Sequence, residues 1–385
     1  MSSTLLSLNR MTAWSLGIRL VLWMGSMIPK PAPKFLLDAL TSVEIVDALE
    51  GGSGFTLTFS MHKTMLFDFD MLFSGHLSAD TRVVLSVQIG AWPQQLISGV
   101  VTHHQVSVSS TPGESKVTVT GVNLDAVLDR KERNMRYDAM PDWMIVKRLL
   151  APYALYGLDP LCPGVMVTTA VPNPLKETPW QQGETDLRFI QRLARENNFV
   201  FYIRPSKLVG SEAYWGPETR ISAPQSALTM DLGSADNIVA LNFTYDAESP
   251  RSAEGTAFIE GTGVTLPVIS LVSPRLPLVW KQAKKLRTVK LKGLTSKSYV
   301  KALLDAQVEG IEGADCVTGE GEVDTLRYGK ILEPGKLVGV RGAGLSYDGY
   351  WYVTKVTHVI AKGSYTQKFS IRREGHFALL PWVKP

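Results

Sequence analysis

The chain has 385 residues, of which 45% are hydrophobic and 20% are charged. That length exceeds what one hydrophobic core normally supports, so we expect two or three domains, and the hydrophobic content excludes a disordered protein. The 40 Lys and Arg against 36 Asp and Glu leave a net charge of +4, which argues against a protein built to coat nucleic acid.

The N-terminal residues 1–34 predict an arm followed by a proline-rich linker. Residues 13–28 are apolar but too few for a spanning helix, and Arg19 interrupts them. Prolines at 29, 31 and 33 then favour a stiff, extended segment. We expect an arm or short amphipathic helix that docks on a partner or neighbouring subunit. A membrane anchor is the alternative, but membrane contact is not what we expect.

Residues 35–130 predict the first of two β-barrel domains. Apolar and polar residues alternate in short segments, as in Phe55-Thr56-Leu57-Thr58-Phe59, and Gly and Pro separate these segments. A turn at Pro112-Gly113 would join the last two of them. The predicted strands cover residues 42–48, 55–59, 81–89, 95–101, 105–109 and 116–121.

Residues 131–235 predict an α+β insertion. Residues 142–150 have apolar positions at helical spacing behind Pro141. Residues 184–197 form a second amphipathic helix, whose apolar stripe includes Leu187, Ile190 and Leu193. A strand at 199–203 follows directly.

Residues 236–385 predict a second barrel with one helix. Strand patterns cover 239–245 and 255–272, a helical pattern covers 298–308, and further strands cover 336–340, 349–360 and 365–372. The predicted fold class is therefore mixed β with an α+β insertion between two barrels.

Residues that could carry catalysis are sparse. The sequence contains no HExxH, CxxC or nucleophile elbow, and His103 and His104, adjacent in a predicted strand, would point to opposite faces. The glycines between 339 and 344 lack a P-loop lysine and favour turns. Cys162 and Cys316 are expected to be free thiols, although one bridge between them stays open. We expect no catalytic residue, no metal and no cofactor.

A basic run is the strongest charge feature, and it predicts an inter-subunit or lumen-facing surface. A solvated face is the alternative. Few aromatic residues accompany the run, so we do not expect stable nucleic-acid binding. An acidic cluster that follows it is expected to form a solvated or subunit-facing surface. The basic candidates are Lys281, Lys284, Lys285, Arg287, Lys290 and Lys292, and the acidic ones are Glu309, Glu312, Asp315, Glu320, Glu322 and Asp324.

Three groups of segments carry a resemblance to a known family. They are residues 83–101 with 117–128, residues 180–203 (including QGETDLRFIQRLARENNFVFYI), and residues 335–339 with 347–358 and 365–373. In this order they resemble the baseplate hub proteins of contractile phage tails, of the late-control D type and most like the Mu-like hub, and the hub part of VgrG spikes in type VI secretion. The resemblance covers about residues 35–375.

The resemblance implies a structural, non-enzymatic homotrimer in the virion tail baseplate, assembled in the host cytoplasm. Two tube-like barrels per chain would form a ring of pseudo-sixfold symmetry facing the tail tube protein or tube initiator above. A threefold face would meet the spike below, and wedge or other baseplate proteins would lie around it. The chain ends without a spike or lysozyme domain, so we expect a separate spike protein.

Two alternatives remain from the residues alone. One is a cell-envelope glycan hydrolase that uses carboxylates among Glu309, Glu320 and Glu322. The other is a nucleic-acid-binding module that uses the basic residues between 281 and 301.

Overall fold

Strands make up most of the regular structure in the computed structural model. It describes residues 12–14, 18–26, 28–61, 75–90, 93–111, 113–138, 140–161, 179–206, 210–218, 220, 222–259, 264–270, 275–291 and 299–383. The strands in the first half are β1 (Thr12–Trp14), β2 (Ile18–Gly25), β3 (Lys30–Pro31), β4 (Leu40–Ala48), β5 (Gly54–Ser60), β6 (Arg82–Gln88), β7 (Pro93–Ser107), β8 (Lys116–Asn123), β9 (Glu132–Arg136), β10 (Leu158–Leu161) and β11 (Trp180–Thr185).

The second half adds further strands and the longer helices. Its strands are β12 (Phe199–Pro205), β13 (Ser211–Pro217), β14 (Gln225–Thr229), β15 (Ile238–Tyr245), β16 (Arg251–Ile259), β17 (Val264–Ile269), β18 (Arg287–Lys290), β19 (Val317–Asp324), β20 (Leu337–Arg341), β21 (Gly349–Ala361) and β22 (Ser364–Arg373). The described α-helices of the whole chain are α1 (Lys34–Ala39), α2 (Asp125–Leu128), α3 (Asp142–Leu150), α4 (Asp186–Glu196), α5 (Tyr299–Glu312) and α6 (Thr325–Tyr328).

The chain forms two compact units. The first contains Met1–Ile190, Phe201–Trp215 and Thr357–Gln367, and the second contains Gln191–Val200, Gly216–Val356 and Lys368–Pro385. The predicted division at residues 34, 130 and 235 stays a prediction.

An antiparallel sheet forms the core of the first unit, with the strand order β1-β2-β6-β7-β8-β5-β4. Phe55, Leu57 and Phe59 of β5 are buried while the residues between them are half-buried, because alternate side chains of a strand point to opposite faces. The two strands predicted at 95–101 and 105–109 are one strand, β7. A register shift between Val101 and His103 lets β7 continue along β8.

The amphipathic helix considered for residues 13–28 is wrong within the described residues. Ile18–Gly25 is a strand that pairs with β6. Its apolar side chains at every second position are buried while Arg19 is exposed, so the segment repeats with period two rather than 3.6. No described helix is long and apolar enough to cross a membrane. Docking of residues 1–34 on a partner stays a prediction.

A buried carboxylate holds the start of α4 in the first unit. Asp186 accepts hydrogen bonds from Tyr153 Oη at 2.8 Å and from Gln181 Nε2 at 3.0 Å, and Arg133 Nη2 lies 3.2 Å away. Burial and this hydrogen bond raise the pKa of Tyr153 to about 12. The contacts explain why the GETD segment leads into a helix at this point.

The second unit has two layers of its own. Strands β19 and β15 pair antiparallel beside β22, and Trp351, Val353, Phe369 and Ile371 belong to a buried cluster under them. A separate sheet has the order β17-β16-β18. Small residues fill the contact between this sheet and α5, namely Ala253, Ala257, Val268, Ala302 and Ala306.

The sheets of the described residues are open. Each has two ends in its strand order, and none closes into a barrel. The mixed, mainly β fold class is therefore confirmed, while the two tube-like barrels and a trimeric ring stay predictions.

Candidate interaction surface

The predicted basic residues lie on the second unit, and all the described ones are exposed. Lys281, Lys284 and Lys285 lie in an irregular segment ahead of β18. Arg287 and Lys290 lie on β18 itself, opposite Arg251 and Glu254 of β16 in the parallel register. Lys292 lies outside the described residues. The structure therefore places three lysines together on one segment and two cations on a neighbouring sheet.

Backbone hydrogen bonds to the C-terminal segment hold the lysine-bearing segment in place. Trp280 N donates to Phe377 O at 3.0 Å, and Ala283 N donates to Glu374 O at 3.3 Å. Val279 and Ala378 form an isolated antiparallel bridge between the two segments. The lysines thus project from a backbone that is fixed at both ends.

These cations have no ion-pair partner within the described part of the chain. Ion pairs there involve other arginines and lysines, such as Arg251 with Glu309 at 3.1 Å. An exposed and unpaired set of lysines does little for folding, because exposed charges interact weakly through water. Their charge is available to a partner.

The acidic cluster does not form one surface. Asp315 is buried, which corrects its prediction as a solvated or subunit-facing residue. Asp324 accepts from Leu326 N at 2.9 Å and caps α6. Glu320 is exposed and Glu322 half-buried, two residues apart on β19, and Glu309 pairs with Arg251. The side chain of Glu312 lies outside the described set.

Six buried or nearly buried charges form what we call the Arg220 cluster. Arg220 contacts all three carboxylates, with distances of 3.0 Å to Glu218, 2.7 Å to Asp315 and 2.8 Å to Glu374. Two further guanidinium groups complete the cluster around Glu218 and Asp315. Its members are Arg220, Arg275, Arg372, Glu218, Asp315 and Glu374.

Three positive and three negative groups offset one another in this cluster. Burial alone would raise the pKa of Asp315, but the charges of Arg220 and Arg372 outweigh burial and lower it. Burial likewise disfavours the charged form of Arg220, but its carboxylate neighbours raise its pKa. Burial lowers the pKa of Arg275 despite the same neighbours. The lowered pKa keeps Asp315 ionised at neutral pH, so Asp315 is not a proton donor there.

A cavity of about 330 Å³ opens beside the Arg220 cluster. Arg275, Lys285, Gln282 and Gln307 contribute polar side chains to its wall. Glu309, Glu320 and Glu322 are not among the described residues that line it, so the carboxylates considered for glycan hydrolysis do not converge in this cavity.

The remaining sequence candidates lie apart from this surface. His103 and His104 are exposed on β7, and no group of three or more metal-ligating side chains occurs among the described residues. His358 is buried against Tyr365 Oη, 3.0 Å from its Nδ1, and burial lowers its pKa to about 3. Cys316 is free and buried, whereas Cys162 lies outside the described residues.

Sequence reasoning did not identify the Arg220 cluster. Its members come from four separate stretches of the chain, between residues 218 and 374. No short spacing joins the four stretches, so a local sequence pattern does not reveal the cluster. The local hints are two oppositely charged pairs at a spacing of two residues, Glu218 with Arg220 and Arg372 with Glu374.

Solved tail proteins share this fold. A tail protein from Neisseria meningitidis MC58 aligns with a TM-score of 0.65 and 13% identity, over 94% of this chain and 98% of that chain. The 43 kDa tail protein of prophage MuSo2 from Shewanella oneidensis aligns with a TM-score of 0.61 and 16% identity, over 93% of this chain and 98% of that chain.

A secretion-system protein is similar as well. The E. coli c3393 protein is described as a type VI secretion component with structural similarity to the T4 tail proteins gp27 and gp5. It aligns with a TM-score of 0.53 and 16% identity, over 90% of this chain and 76% of that chain. No protein-family model and no curated protein sequence matches the chain. The resemblance to phage tail hub and VgrG proteins is thus confirmed at the level of the fold.

Proposed function

We propose that this chain is a structural baseplate hub of a contractile tail, located in the virion. The observation that carries the proposal is the alignment of nearly the whole chain with nearly the whole of two tail proteins. A fold shared end to end, rather than over one domain, supports a shared architectural role.

In this role the chain forms a homotrimer that joins a sixfold tail tube to a threefold spike during puncture of the host cell and genome delivery. Residues 35–130 and 236–385 act as the two tube-like parts, residues 131–235 as the insertion, and residues 1–34 as a docking arm. The tail tube protein or tube initiator binds above, a separate spike protein binds below, and wedge or other baseplate proteins bind around the ring. The exposed lysines and Arg287 contribute to an inter-subunit or lumen-facing surface.

The role is non-enzymatic. In the described part of the chain, Asp315 is held ionised by guanidinium groups and Glu309 is paired with Arg251. A glycosidase needs two carboxyl groups facing one bond, one of them protonated. The positions of these carboxylates support a structural function.

The mass of the purified protein and the symmetry of the assembled tail test the proposal. We expect a mass three times that of the chain in solution, and threefold density for this protein in images of the baseplate. A monomer within the particle, or any symmetry other than threefold, contradicts the proposal.

A peptidoglycan-clearing assay separates this role from hydrolysis. We expect no clearing by the isolated chain. Clearing that is abolished by Glu309→Gln, Glu320→Gln or Glu322→Gln would establish an enzyme instead.

Binding to DNA at low salt separates the role from a nucleic-acid module. We expect no stable complex. Binding that weakens steeply with salt and disappears in Lys284→Glu/Lys285→Glu would favour the module.

A further inference from the structure

An apolar patch lies on the second unit next to the lysine-bearing segment. Trp280 is 81% exposed and Trp382 is 91% exposed, which is unusual for the side chain that buries most area in protein interfaces. We call this surface the Trp280 patch, and its members are Trp280, Leu345, Phe377, Leu379, Leu380 and Trp382, all exposed.

The backbone brings these side chains together. Val279 and Ala378 face each other across an antiparallel bridge and are both buried. Trp280 N donates to Phe377 O at 3.0 Å next to this bridge, so these two exposed residues are neighbours. Phe377 N donates to Ser346 O at 3.2 Å, which brings Leu345 beside them. Trp280, Phe377 and Leu345 therefore form the centre of the patch, and Leu379, Leu380 and Trp382 follow Phe377 along the C-terminal segment.

The charges beside the patch restrict what can cover it. Lys281 directly follows Trp280, and Lys284 lies three residues further on; both are exposed and have no carboxylate partner in the described part of the chain. Two copies that met patch to patch would bring these lysines together, which costs free energy once water is excluded. A surface that carries carboxylates fits better.

The same unit carries such a surface at the end of its main sheet. β15 is the last strand in the sheet order, and residues 238–245 include no charged side chain. An uncharged edge strand is a template for association. Val239 and Ala240 are exposed at one end of it, and Glu320 and Glu322 lie on the adjacent strand β19 opposite Asn242 and Ala240. Because Ala240 and Glu322 are paired, their side chains share one face, so small apolar side chains and carboxylates occur side by side there.

We propose that the Trp280 patch of one copy docks on the β15–β19 surface of the next copy, with Lys281 and Lys284 facing Glu320 and Glu322. A contact between two different surfaces of one chain generates a ring when its rotation closes. The inference rests on the proposed trimer and assigns its interface. The aromatic side chains supply apolar area, and the charges fix the register.

Charge exchange tests the pairing, with the molar mass in solution measured by light scattering across a dilution series. We expect Lys281→Glu/Lys284→Glu and Glu320→Lys/Glu322→Lys each to weaken association at least tenfold, and the four-residue combination to recover most of it. The control Lys362→Glu/Lys368→Glu changes two exposed lysines outside the patch and should leave association unchanged. Failure of the combination to recover association overturns the assigned contact.

Removal of the aromatic side chains tests the patch. We expect Trp280→Ser/Trp382→Ser to dissociate the trimer while its circular dichroism spectrum stays that of a folded chain, whereas Leu155→Ser, at an exposed position elsewhere, has no effect. If the unmodified chain is a trimer and the tryptophan variant is also a trimer, the interface is wrong and the hub proposal stands. If the unmodified chain does not trimerise, both are wrong. Binding of the unmodified chain to vesicles of anionic lipid, lost in the tryptophan variant, would assign the patch to a membrane instead.

Discussion

Arg220 Nη2 lies 2.8 Å from one carboxylate oxygen of Asp315 and 2.7 Å from the other, and both side chains are buried. The two residues are 95 positions apart in the chain, so this contact joins distant segments of the second unit. The guanidinium also contacts Glu218 and Glu374, and it lies 5.5 Å from the ring centre of Tyr352. Arg220 is thus the centre of the buried charges.

Replacement of this arginine should strongly destabilise the second unit. Arg220→Met removes the group that contacts all three carboxylates and leaves them buried with fewer cations. Breaking a buried ion pair from one side costs about 3–5 kcal/mol, and we expect a loss of that size in the free energy of unfolding, measured by urea denaturation. Arg130→Met is the matched control, because its pair with Asp80 is exposed and should contribute at most about 1 kcal/mol. Equal effects of the two variants would contradict this account.

Stability should decrease as the pH falls below 6.5, because of His358. Burial lowers the pKa of His358 from 6.5 to about 3, so below pH 6.5 the unfolded chain binds a proton that the folded chain excludes. Its stabilisation is complete above pH 6.5 and is lost toward pH 3, at up to about 1.4 kcal/mol per pH unit. Asp315, whose pKa is lowered from 3.8, loses its contribution only below that value.

Melting temperatures between pH 5 and 7.5 measure the effect of His358 together with that of His376, whose pKa burial and Arg373 also lower, and single variants separate the two. His358→Gln should flatten the slope in this range, while His104→Gln, at an exposed position, should keep it. A slope unchanged in His358→Gln would show that another group is responsible.

Gly121 should tolerate no side chain, because Phe55 occupies the space. A Cβ at Gly121 would lie 2.2 Å from Phe55 Cζ and 2.6 Å from Val100 O. We expect Gly121→Ala to cost about 1–3 kcal/mol through overpacking. Phe55→Leu should be less harmful in the Gly121→Ala background than in the natural chain. Additive effects in this double-mutant cycle would contradict a direct clash.

The Cys316 thiol should react slowly in the folded protein. Burial raises its pKa to about 11, and Sγ donates a hydrogen bond to Glu374 O at 3.4 Å. In a Cys162→Ser background we expect Ellman's reagent to modify the native protein at pH 8 at least 100-fold more slowly than the urea-unfolded protein. Equal rates would show that the thiol is accessible.

Local patterns predicted many of the elements. The helix predicted at 142–150 forms over Asp142–Leu150, and that predicted at 184–197 forms over Asp186–Glu196. Phe55, Leu57 and Phe59 alternate and are buried as expected. These elements are predictable because one face of each must be apolar to pack. The spacing of apolar residues that results is visible in neighbouring positions of the sequence.

Predictions from local sequence patterns were wrong where the pairing of strands decided the secondary structure. The apolar residues around Arg19 predict an arm or a short amphipathic helix; the helix is wrong because β6 offers a partner strand along Arg19–Gly25. The patterns at residues 95–101 and 105–109 predict two strands, yet β8 pairs with both segments through one register shift. Strand pairing depends on residues far away in the chain, so a short stretch of sequence does not determine which strand its residues pair with.

The sequence by itself determined the mainly β fold class, the order of strands and helices and, through the segments that resemble tail hub proteins, the kind of fold. Only the tertiary structure decided that Asp315 is a buried ion-pair partner of Arg220 and not part of an exposed acidic surface. It also decided that the exposed side chains of Trp280 and Phe377, from two distant segments, are neighbours beside exposed lysines. The physical reason is that periodicity reports burial along one element, whereas ion pairing and surface continuity depend on which distant segments meet.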